Sequence, residues 1–238
     1  MGKIRLFCLP YAGGSASVFN KWRTYLDSRI ELVPLELAGR GRRMNQPFYG
    51  SVHEAADDIY SSISQSLDGC PYAFYGHSMG TVIVYEVCRR IVQNGRTSPC
   101  HVFASGRYAP HIKKNEKELH ALPEDEFKEE ILKIGGTPKQ IFEDPQLTQI
   151  FSPVLRADYR IIECYKHAES NISLSCPITV LSGRSDSITH GLDQENEMLG
   201  WPKYTSGLCK MHEFDGGHFF IFDYIKEIAN IINSSIAE

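Results

Sequence analysis

The sequence has no long apolar run, no excess of basic residues and no C-x-x-C motif. Its 238 residues carry a formal net charge of −4, which gives no reason to expect nucleic acid, because a phosphate backbone needs a clustered basic surface. The amino-terminal apolar stretch, residues 4–9, is short and contains Arg5, so it predicts neither a signal peptide nor a membrane span. We therefore expect a cytoplasmic chain with no nucleic-acid or membrane partner.

The cysteines are odd in number and widely scattered along the chain. This spacing is not typical of a disulfide framework or of a zinc site. Free cysteine commonly behaves as a small buried apolar side chain. We therefore expect reduced thiols in the core, and no metal site, for Cys8, Cys70, Cys88, Cys100, Cys164, Cys176 and Cys209.

Short apolar runs alternate with amphipathic segments, which is typical of helices that cross between parallel strands. The predicted strands are 4–9, 31–35, 72–75, 101–105, 178–181 and 209–214. The predicted helices are 18–26, 52–67, 79–93 and 219–232. The pattern predicts one α/β domain over residues 1–238, with a mostly parallel central sheet flanked by helices.

Residues 110–170, called the lid segment below, break this alternation because they contain no convincing strand. Their apolar spacing predicts helices over 123–134 and 145–165, and Pro153 should kink or divide the second helix. Simple packing of these helices onto the sheet is the plainer interpretation, since amphipathic helices usually bury their apolar stripe. The more specific hypothesis is that these helices form an inserted lid that shapes a substrate channel.

The motif Gly76-His77-Ser78-Met79-Gly80 fits G-x-S-x-G and lies between a predicted strand and a predicted helix. This strand, sharp turn and helix present a nucleophilic serine, because the turn strains the serine and the flanking glycines allow close backbone packing. An ordinary structural turn is the alternative. We predict that Ser78 is a nucleophile.

A serine hydroxyl is a poor nucleophile near neutral pH, so a base must lie within hydrogen-bond reach. His218 is the predicted base, because two glycines precede it in a loop that follows a predicted strand. His190 and His212 are its rivals, while His77 lies in the turn itself. A packed or surface histidine is the alternative role for His218.

A third residue has to orient the base. Asp186 is the predicted acid, because it follows the buried run 177–183 at the carboxyl end of a strand. Asp215 and Asp193 are its rivals, and capping of a loop is the ordinary alternative. The resulting order of serine, acid and histidine along the chain is that of α/β-hydrolases.

The oxyanion of a tetrahedral acyl intermediate needs two backbone donors. The amide of Met79, the residue after the serine, is the expected first donor. The second should come from the loop Pro10-Tyr11-Ala12-Gly13-Gly14-Ser15, with Ala12 as the candidate. An ordinary strand-to-helix turn is the alternative for this loop.

Further motifs lie along nearly the whole chain: Leu9-Pro10-Tyr11-Ala12-Gly13-Gly14-Ser15, Glu36-Leu37-Ala38-Gly39-Arg40-Gly41, Leu122-Pro123, Gly135-Gly136-Thr137-Pro138, Arg156-Ala157-Asp158-Tyr159 and Phe214-Asp215-Gly216-Gly217-His218-Phe219. With the serine motif, they resemble the discrete, type II thioesterases that accompany nonribosomal peptide and polyketide synthases. Two residues depart from the family pattern. Ala38 stands where proline is common, and Thr81 where a glycine often extends the turn.

This resemblance implies an α/β-hydrolase fold and hydrolysis of acyl groups from the phosphopantetheine arm of an acyl or peptidyl carrier protein. It implies an editing role on stalled or misprimed carriers, without metal or redox cofactor, in a monomer. Small acyl or aminoacyl groups are the implied substrates, and acyl-coenzyme A is a further candidate. A carboxylesterase or lipase, an acyltransferase and a non-catalytic binding module are the alternatives.

Substrate contacts are predicted in two places. Arg40, Arg42 and Arg43 follow the second strand, where Arg42 could meet the phosphate of the arm, although a solvated basic loop is the plainer interpretation. The candidates for lining an acyl channel are Met79, Phe127, Phe151 and Leu155.

Overall fold

The computed structural model describes residues 3–112, 117–168, 173–189 and 200–237. Its strands are β1 (Ile4–Leu9), β2 (Ile30–Pro34), β3 (Tyr72–His77), β4 (His101–Ser105), β5 (Ile178–Gly183) and β6 (Cys209–Phe214). Its α-helices are α1 (Val52–Ile63), α2 (Met79–Gln93), α3 (Glu124–Ile134), α4 (Gln140–Glu143), α5 (Pro145–Glu163) and α6 (Ile225–Ile236). Short 3-10 helices are Ala16–Thr24, Gly41–Arg43, Ser64–Ser66, Leu119–Ala121, Trp201–Tyr204 and Phe220–Phe222.

The strands form one sheet in the order β2-β1-β3-β4-β5-β6, and every pair of neighbours is parallel. The chain runs from β1 out to β2 and then returns past β1 to β3. Connections therefore leave the adjacent strands β1 and β3 in opposite directions, which opens a crevice at their carboxyl ends. The predicted oxyanion loop follows β1 and Ser78 follows β3, so both lie at this crevice.

The sheet is covered on both faces, because alternate residues of its strands point to opposite sides. Phe7 and Phe74 belong to an apolar cluster with α1 and α2. Leu6 and Tyr75 belong to a second cluster with α6 and the 3-10 helix Ala16–Thr24. The central strands are thus buried on both sides, and their carboxyl ends and the loops that follow form the accessible edge.

Helices α3, α4 and α5 account for the described part of the lid segment, which contains no strand. They share a separate apolar cluster of Leu119, Phe127, Ile131, Phe142 and Leu155. Further along α5, Ile161 and Ile162 join the cluster on the sheet. The lid segment therefore has its own small core at one end and packs onto the main domain at the other.

The six predicted strands are confirmed, with ends that shift by at most two residues. The predicted helix 18–26 is a 3-10 helix, and 219–232 is wrong at its start because a 3-10 turn precedes α6. Division of the helix at Pro153 is also wrong, since α5 is continuous. A proline inside a helix removes one backbone hydrogen bond, and the apolar residues of α5 that are buried in the two clusters, Leu155, Ile161 and Ile162, all follow Pro153.

All seven cysteines are free thiols. Cys8, Cys88 and Cys176 are buried as expected, but the expectation of a core position is wrong for Cys100 and Cys164, which are exposed. Cys100 lies in the loop before β4, and Cys164 caps the carboxyl end of α5, so neither belongs to an apolar face. Within the described residues, no helix has the length and apolar character to cross a membrane, and no cluster of potential ligands could hold a metal ion.

Candidate active site

Ser78 occupies the sharp turn between β3 and α2. Its φ of 55° and ψ of −117° make it the one non-glycine residue with positive φ in the described part of the chain. Such a conformation is costly for a residue with a Cβ and persists only where neighbours enforce it. The Ser78 amide donates to the carbonyl oxygen of Ser105 at 2.7 Å, which ties the turn to the end of β4. The strained turn predicted from the motif is therefore present.

The two glycines of the motif allow backbone segments to approach closely. A Cβ on Gly76 would lie 2.5 Å from the carbonyl oxygen of Gly80, and one on Gly80 would lie 2.3 Å from that of Leu9. Both positions would require the backbone to move, because the contacting atoms are main-chain atoms. Gly80 thus brings the start of α2 directly against the end of β1 and the oxyanion loop.

Thr81, one of the departures from the family pattern, stabilises the turn at Ser78 through its hydroxyl. Its hydroxyl lies 2.8 Å from the carbonyl oxygen of Gly76 and 2.9 Å from that of Ser105, and it accepts the Ser105 amide at 3.2 Å. One hydroxyl proton serves one carbonyl at a time, but the contacts join α2 to β3 and β4. A glycine at this position would lack all of them.

Ala38, the other departure, also makes a contact that the usual residue could not. Its backbone amide donates to the Tyr49 hydroxyl at 3.2 Å. Proline has no amide proton and could not form this bond. Alanine at this buried position therefore allows a main-chain hydrogen bond that proline would remove.

The predicted acid and base form a buried pair. Nδ1 of His218 lies 2.8 Å from Oδ2 of Asp186, while Oδ1 of Asp186 accepts the Ile188 amide at 2.9 Å. Burial on its own would raise the pKa of Asp186, but the hydrogen bond and the charge of His218 outweigh it and lower that pKa below its ordinary value. An ionised carboxylate at Nδ1 keeps the proton there and leaves Nε2 as the acceptor nitrogen.

The loops after β5 and β6 hold the acid and the base together. The amide of Ser185 donates to the carbonyl oxygen of Gly216 at 2.8 Å. A Cβ on Gly183 would lie 2.4 Å from the carbonyl oxygen of Gly217, so only glycine permits this approach. These contacts bring together two side chains that lie 32 residues apart in the sequence.

His77 connects the serine turn with the histidine loop. Its ring centroid lies 4.9 Å from that of His218, and both rings border Gly106, where a Cβ would lie 2.6 Å from Cε1 of His77 and 3.2 Å from Cε1 of His218. Because His77 directly precedes Ser78, this contact puts the predicted base beside the serine turn. All three predicted residues thus lie at the carboxyl edge of the sheet.

The rival residues do not enter this arrangement. The side chain of Asp215 is 85% exposed and lies 3.4 Å from Arg184, and His212 lies within β6. His190 and Asp193 lie outside the described residues. Among the described candidates, only Asp186 and His218 form a buried carboxylate–imidazole pair.

His77 is itself fully buried, with Nδ1 at 2.8 Å from the Ser105 hydroxyl. That hydroxyl also accepts the Tyr75 hydroxyl at 2.9 Å. Burial, reinforced by the nearby His218, holds the pKa of His77 well below its ordinary value. The ring is therefore neutral wherever the chain is folded near neutral pH.

His77→Gln is expected to flatten the loss of stability on mild acidification. Below about pH 6.5 the unfolded chain binds a proton at His77 that the folded chain rejects, so the free energy of unfolding falls by up to about 1.4 kcal/mol per pH unit for this residue. Urea unfolding at pH 7 and pH 5 measures the difference for the wild type and the variant. Equal pH dependence in the two proteins would contradict a neutral buried His77.

The loop after β1 contains the predicted oxyanion donor, the backbone amide of Ala12. Two of its amides and that of the next residue have acceptors: Gly13 donates to Asp158 at 2.7 Å, Gly14 to the carbonyl oxygen of Tyr11 at 2.9 Å and Ala16 to Glu36 at 3.0 Å. No acceptor for the Ala12 amide is found among the described residues. The Ala12 amide is therefore available to a group in the crevice.

The three arginines after β2 have different surroundings. Arg40 is buried and forms an ion pair with Asp158, and Arg43 binds Asp58 at 2.7 Å. Arg42 is exposed in the 3-10 turn Gly41–Arg43. Of the three predicted cations, Arg42 is thus the one that faces solvent.

The predicted channel residues of the lid segment also differ in setting. Phe127 is fully buried in the lid cluster, with the Arg156 guanidinium 4.2 Å above its ring. Phe151 is 36% exposed. Leu155 lies on the oxyanion loop, where its Cδ2 would be 2.4 Å from a Cβ on Gly13. In this structure Phe127 supports the lid from inside, while Leu155 faces the crevice.

The lid segment covers the crevice from two sides. Besides Leu155 on Gly13, the ring of Phe219 lies against Gly136, where a Cβ would approach it to 2.2 Å. Ser78 itself is 7% exposed.

Sequence reasoning missed the contact between the lid segment and the oxyanion loop. Asp158 of α5 binds both Gly13 and Arg40, although these residues lie far apart in the sequence. The signal that could have found it was the presence of Arg40 and Asp158 in two of the family motifs. Pairing those motifs required the fold.

Comparisons with known proteins identify the family of this chain. The Thioesterase domain family matches residues 4–236. Gramicidin S biosynthesis protein GrsT of Aneurinibacillus migulanus is 34% identical over 221 residues, covering 93% of this chain and 84% of that protein. Thioesterase PikA5 of Streptomyces venezuelae is 33% identical over 233 residues, covering 98% and 81%.

Solved structures give the same result. The crystal structure of ClbQ from the colibactin NRPS/PKS pathway has a TM-score of 0.92 at 36% identity, with 99% of this chain and 98% of that chain covered. Type II thioesterases are among the other structural neighbours. The chain belongs to the thioesterase domain family, and it is a thioester hydrolase with the α/β-hydrolase fold.

Proposed function

We propose that this chain hydrolyses acyl thioesters from the phosphopantetheine arm of carrier proteins in nonribosomal peptide or polyketide biosynthesis, as an editing enzyme. The observation that carries the proposal is the buried Asp186–His218 pair beside the strained Ser78 turn. The names of the relatives point to the same pathways. Ser78, His218 and Asp186 act in it as nucleophile, base and orienting acid.

In the first half-reaction, Oγ of Ser78 attacks the thioester carbonyl carbon while Nε2 of His218 takes the hydroxyl proton. Asp186 stabilises the imidazolium that forms. The carbonyl oxygen becomes an oxyanion and accepts hydrogen bonds from the amides of Met79 and Ala12. When the carbon–sulfur bond breaks, the pantetheine sulfur receives the proton from His218, and the acyl group stays on Ser78.

In the second half-reaction, a water molecule takes the place of the thiol. His218 removes its proton as it attacks the acyl-serine, and then returns a proton to Oγ of Ser78. The free acid and the original serine result. A thiol is a better leaving group than an alcohol or an amine, so these groups suffice to break the carbon–sulfur bond.

The roles of the residues around the site follow from their exposure and their partners in the structure. Leu155 and Phe151 of α5 would contact the acyl chain once the lid loosens, with Phe127 supporting them from within the lid cluster. Arg42 is the exposed arginine of the loop after β2, so it would meet the phosphate of the arm or an acidic carrier surface. Arg40 and Arg43 already bind Asp158 and Asp58.

The test is a substrate panel. Hydrolysis of short and long acyl groups from a holo carrier protein is measured beside the matching coenzyme A thioesters and p-nitrophenyl esters. We expect the carrier substrates to give the highest kcat/KM. Arg42→Glu should lower kcat/KM severalfold for carrier substrates and leave the p-nitrophenyl esters unaffected, because those esters lack phosphate and carrier.

The other outcomes of the panel identify other enzymes. Turnover of esters with carrier substrates untouched would mean a general esterase and overturn the proposal. Transfer of the acyl group to an added alcohol or amine, detected by product analysis, would mean an acyltransferase. An Arg42→Glu variant with unchanged carrier kinetics would remove the role of Arg42 and leave the reaction itself supported.

A further inference from the structure

Asp158 of α5 joins the lid segment to the oxyanion loop. Its side chain is almost completely buried, and its residue exposure is 2%. Oδ2 accepts the Gly13 amide at 2.7 Å and Nη1 of Arg40 at 2.5 Å, while Oδ1 accepts Nη2 of Arg40 at 2.6 Å. This is a two-pronged guanidinium–carboxylate pair with a third hydrogen bond from a main-chain amide.

Arg40 holds the other side of the same loop. Its Nη1 also donates to the carbonyl oxygen of Gly14 at 3.1 Å, and its Nε to that of Ala38 at 3.4 Å. The ion pair therefore binds the amide of Gly13 through Asp158 and the carbonyl of Gly14 through Arg40. These are consecutive residues of the loop that supplies the second oxyanion donor.

Gly13 has a φ of +80°, and a glycine can leave this conformation for many others at little cost. The contacts of Asp158 and Arg40 matter because they hold Gly13 in this one conformation. The Gly13 amide belongs to the same peptide plane as the carbonyl of Ala12. Holding that plane restricts ψ of Ala12 and so limits the directions in which the Ala12 amide can point. Without these contacts at Gly13, the Ala12 amide would adopt a wider range of orientations.

The contact comes from the lid rather than from the main domain. Leu155 lies one helical turn before Asp158 on the same face of α5 and packs on Gly13. If α5 moved away, the Gly13 amide would lose its acceptor and the buried Arg40 guanidinium would lose its counter-charge. The seated position of the lid and the ordered state of the loop are thus favoured together.

We propose that Asp158 is a positioning residue for the oxyanion hole, which is complete only when α5 is seated on the oxyanion loop. The inference rests on the proposed use of the Ala12 amide as an oxyanion donor. Asp158 itself does not touch the reacting atoms. It acts through Gly13, so its loss should weaken binding of the tetrahedral intermediate more than binding of the substrate.

A second arginine–aspartate pair offers a matched control. Arg43 binds Asp58 through both of its terminal nitrogens, at 2.7 and 2.9 Å. This pair joins the loop after β2 to α1 and has no recorded contact with the oxyanion loop among the described residues. Asp58→Asn therefore removes an ion pair of the same two-pronged geometry, although a more exposed one, without releasing Gly13.

The experiment compares Asp158→Asn, Asp158→Leu combined with Arg40→Met, and Asp58→Asn with the wild type. Asparagine keeps an acceptor oxygen for Gly13 but loses the charge. The apolar double variant refills the buried site, as apolar replacements of buried ion pairs often do without loss of stability, but leaves Gly13 without an acceptor. It therefore separates function from folding if Asp158→Asn does not fold.

Two readouts are measured on a thioester that the wild type hydrolyses. The first is kcat and KM, and the second is Ki for an alkylthio-trifluoromethyl ketone, which adds to the serine as a tetrahedral oxyanion. In the double variant we expect kcat to fall by roughly 30- to 300-fold, near the effect of losing one oxyanion donor. KM should change less than about threefold, and Ki should rise in parallel with the loss of kcat. Asp158→Asn should lie between, and Asp58→Asn close to the wild type.

A lower melting temperature with kcat and Ki unchanged in the Asp158 variants would mean a purely structural ion pair and overturn the inference. An equal loss of kcat in Asp58→Asn would overturn it as well, because that pair does not hold Gly13. Failure of the proposed function looks different. In that case the wild type itself would leave acyl groups on the holo carrier protein, whatever the variants do with the small thioester and the ketone.

Discussion

Ser78→Ala is expected to lower thioester hydrolysis by roughly 10⁵- to 10⁶-fold, the scale seen when a serine hydrolase loses its nucleophile. Without Oγ no acyl-enzyme can form, and the oxyanion donors and substrate binding account for what activity is left. The fold should be retained, because alanine removes one small hydroxyl and keeps the backbone turn. Hydrolysis of acyl-carrier substrate, followed by intact-protein mass spectrometry, measures the effect.

Two further observations accompany this result. A fluorophosphonate probe should label the wild type at Ser78 and leave Ser78→Ala unlabelled. An acyl-enzyme trapped from the wild type should map to the same residue. Retention of more than about a tenth of the activity in Ser78→Ala would mean that the nucleophile is another residue, since the residual effect of the site is far smaller.

Asp186→Asn is expected to reduce kcat by about 10⁴-fold with little change in the fold. The amide can donate a proton to Nδ1 of His218, which favours the tautomer that carries its proton on Nε2 and so blocks the base. The wild-type carboxylate avoids this, because its pKa is lowered despite burial by the contact with His218. Steady-state kinetics on the same thioester, between pH 6 and pH 8.5, measure the loss.

Asp215→Asn is the matched control for this prediction. Asp215 lies three residues from His218 and is the nearest acidic rival in sequence, but its side chain is 85% exposed and paired with Arg184. We expect its kcat to stay within about threefold of the wild type, as for an exposed charge away from the reacting groups. If Asp215→Asn were the inactive variant instead, the acid would have been assigned to the wrong loop.

The sheet, and the positions of the three site candidates at its carboxyl edge, could be predicted from the sequence for identifiable reasons. The strands are short apolar runs buried on both faces, so their pattern survives in the sequence. Ser78 could be found because strain and close packing restrict which residues may flank it. Asp186 and His218 could be found because both follow strands at the carboxyl edge, where parallel sheets carry their sites.

Other features depended on contacts between distant segments. Nothing in the periodicity of α5 indicates that Asp158 turns towards Gly13, 145 residues away. The roles of the three arginines could not be separated either, because Arg40 and Arg43 find their acidic partners only in the folded chain. The start of α6 was misplaced since Phe219 and Phe220 are apolar whether they lie in a helix or in the 3-10 turn before it.

The lid segment buries a small apolar cluster of its own, apart from the two clusters that cover the sheet. Residues such as Phe142 and Ile131 can therefore change size together without disturbing the packing that holds β1, β3 and β5 in register. The carboxyl edge of the sheet holds Ser78, Asp186 and His218, while Phe151 and Leu155, which we propose as acyl-chain contacts, belong to the lid segment. Under this proposal a lineage of such enzymes changes the acyl chains it accepts through substitutions in the lid cluster that keep Asp158 on Gly13, and the packing of the sheet stays unchanged.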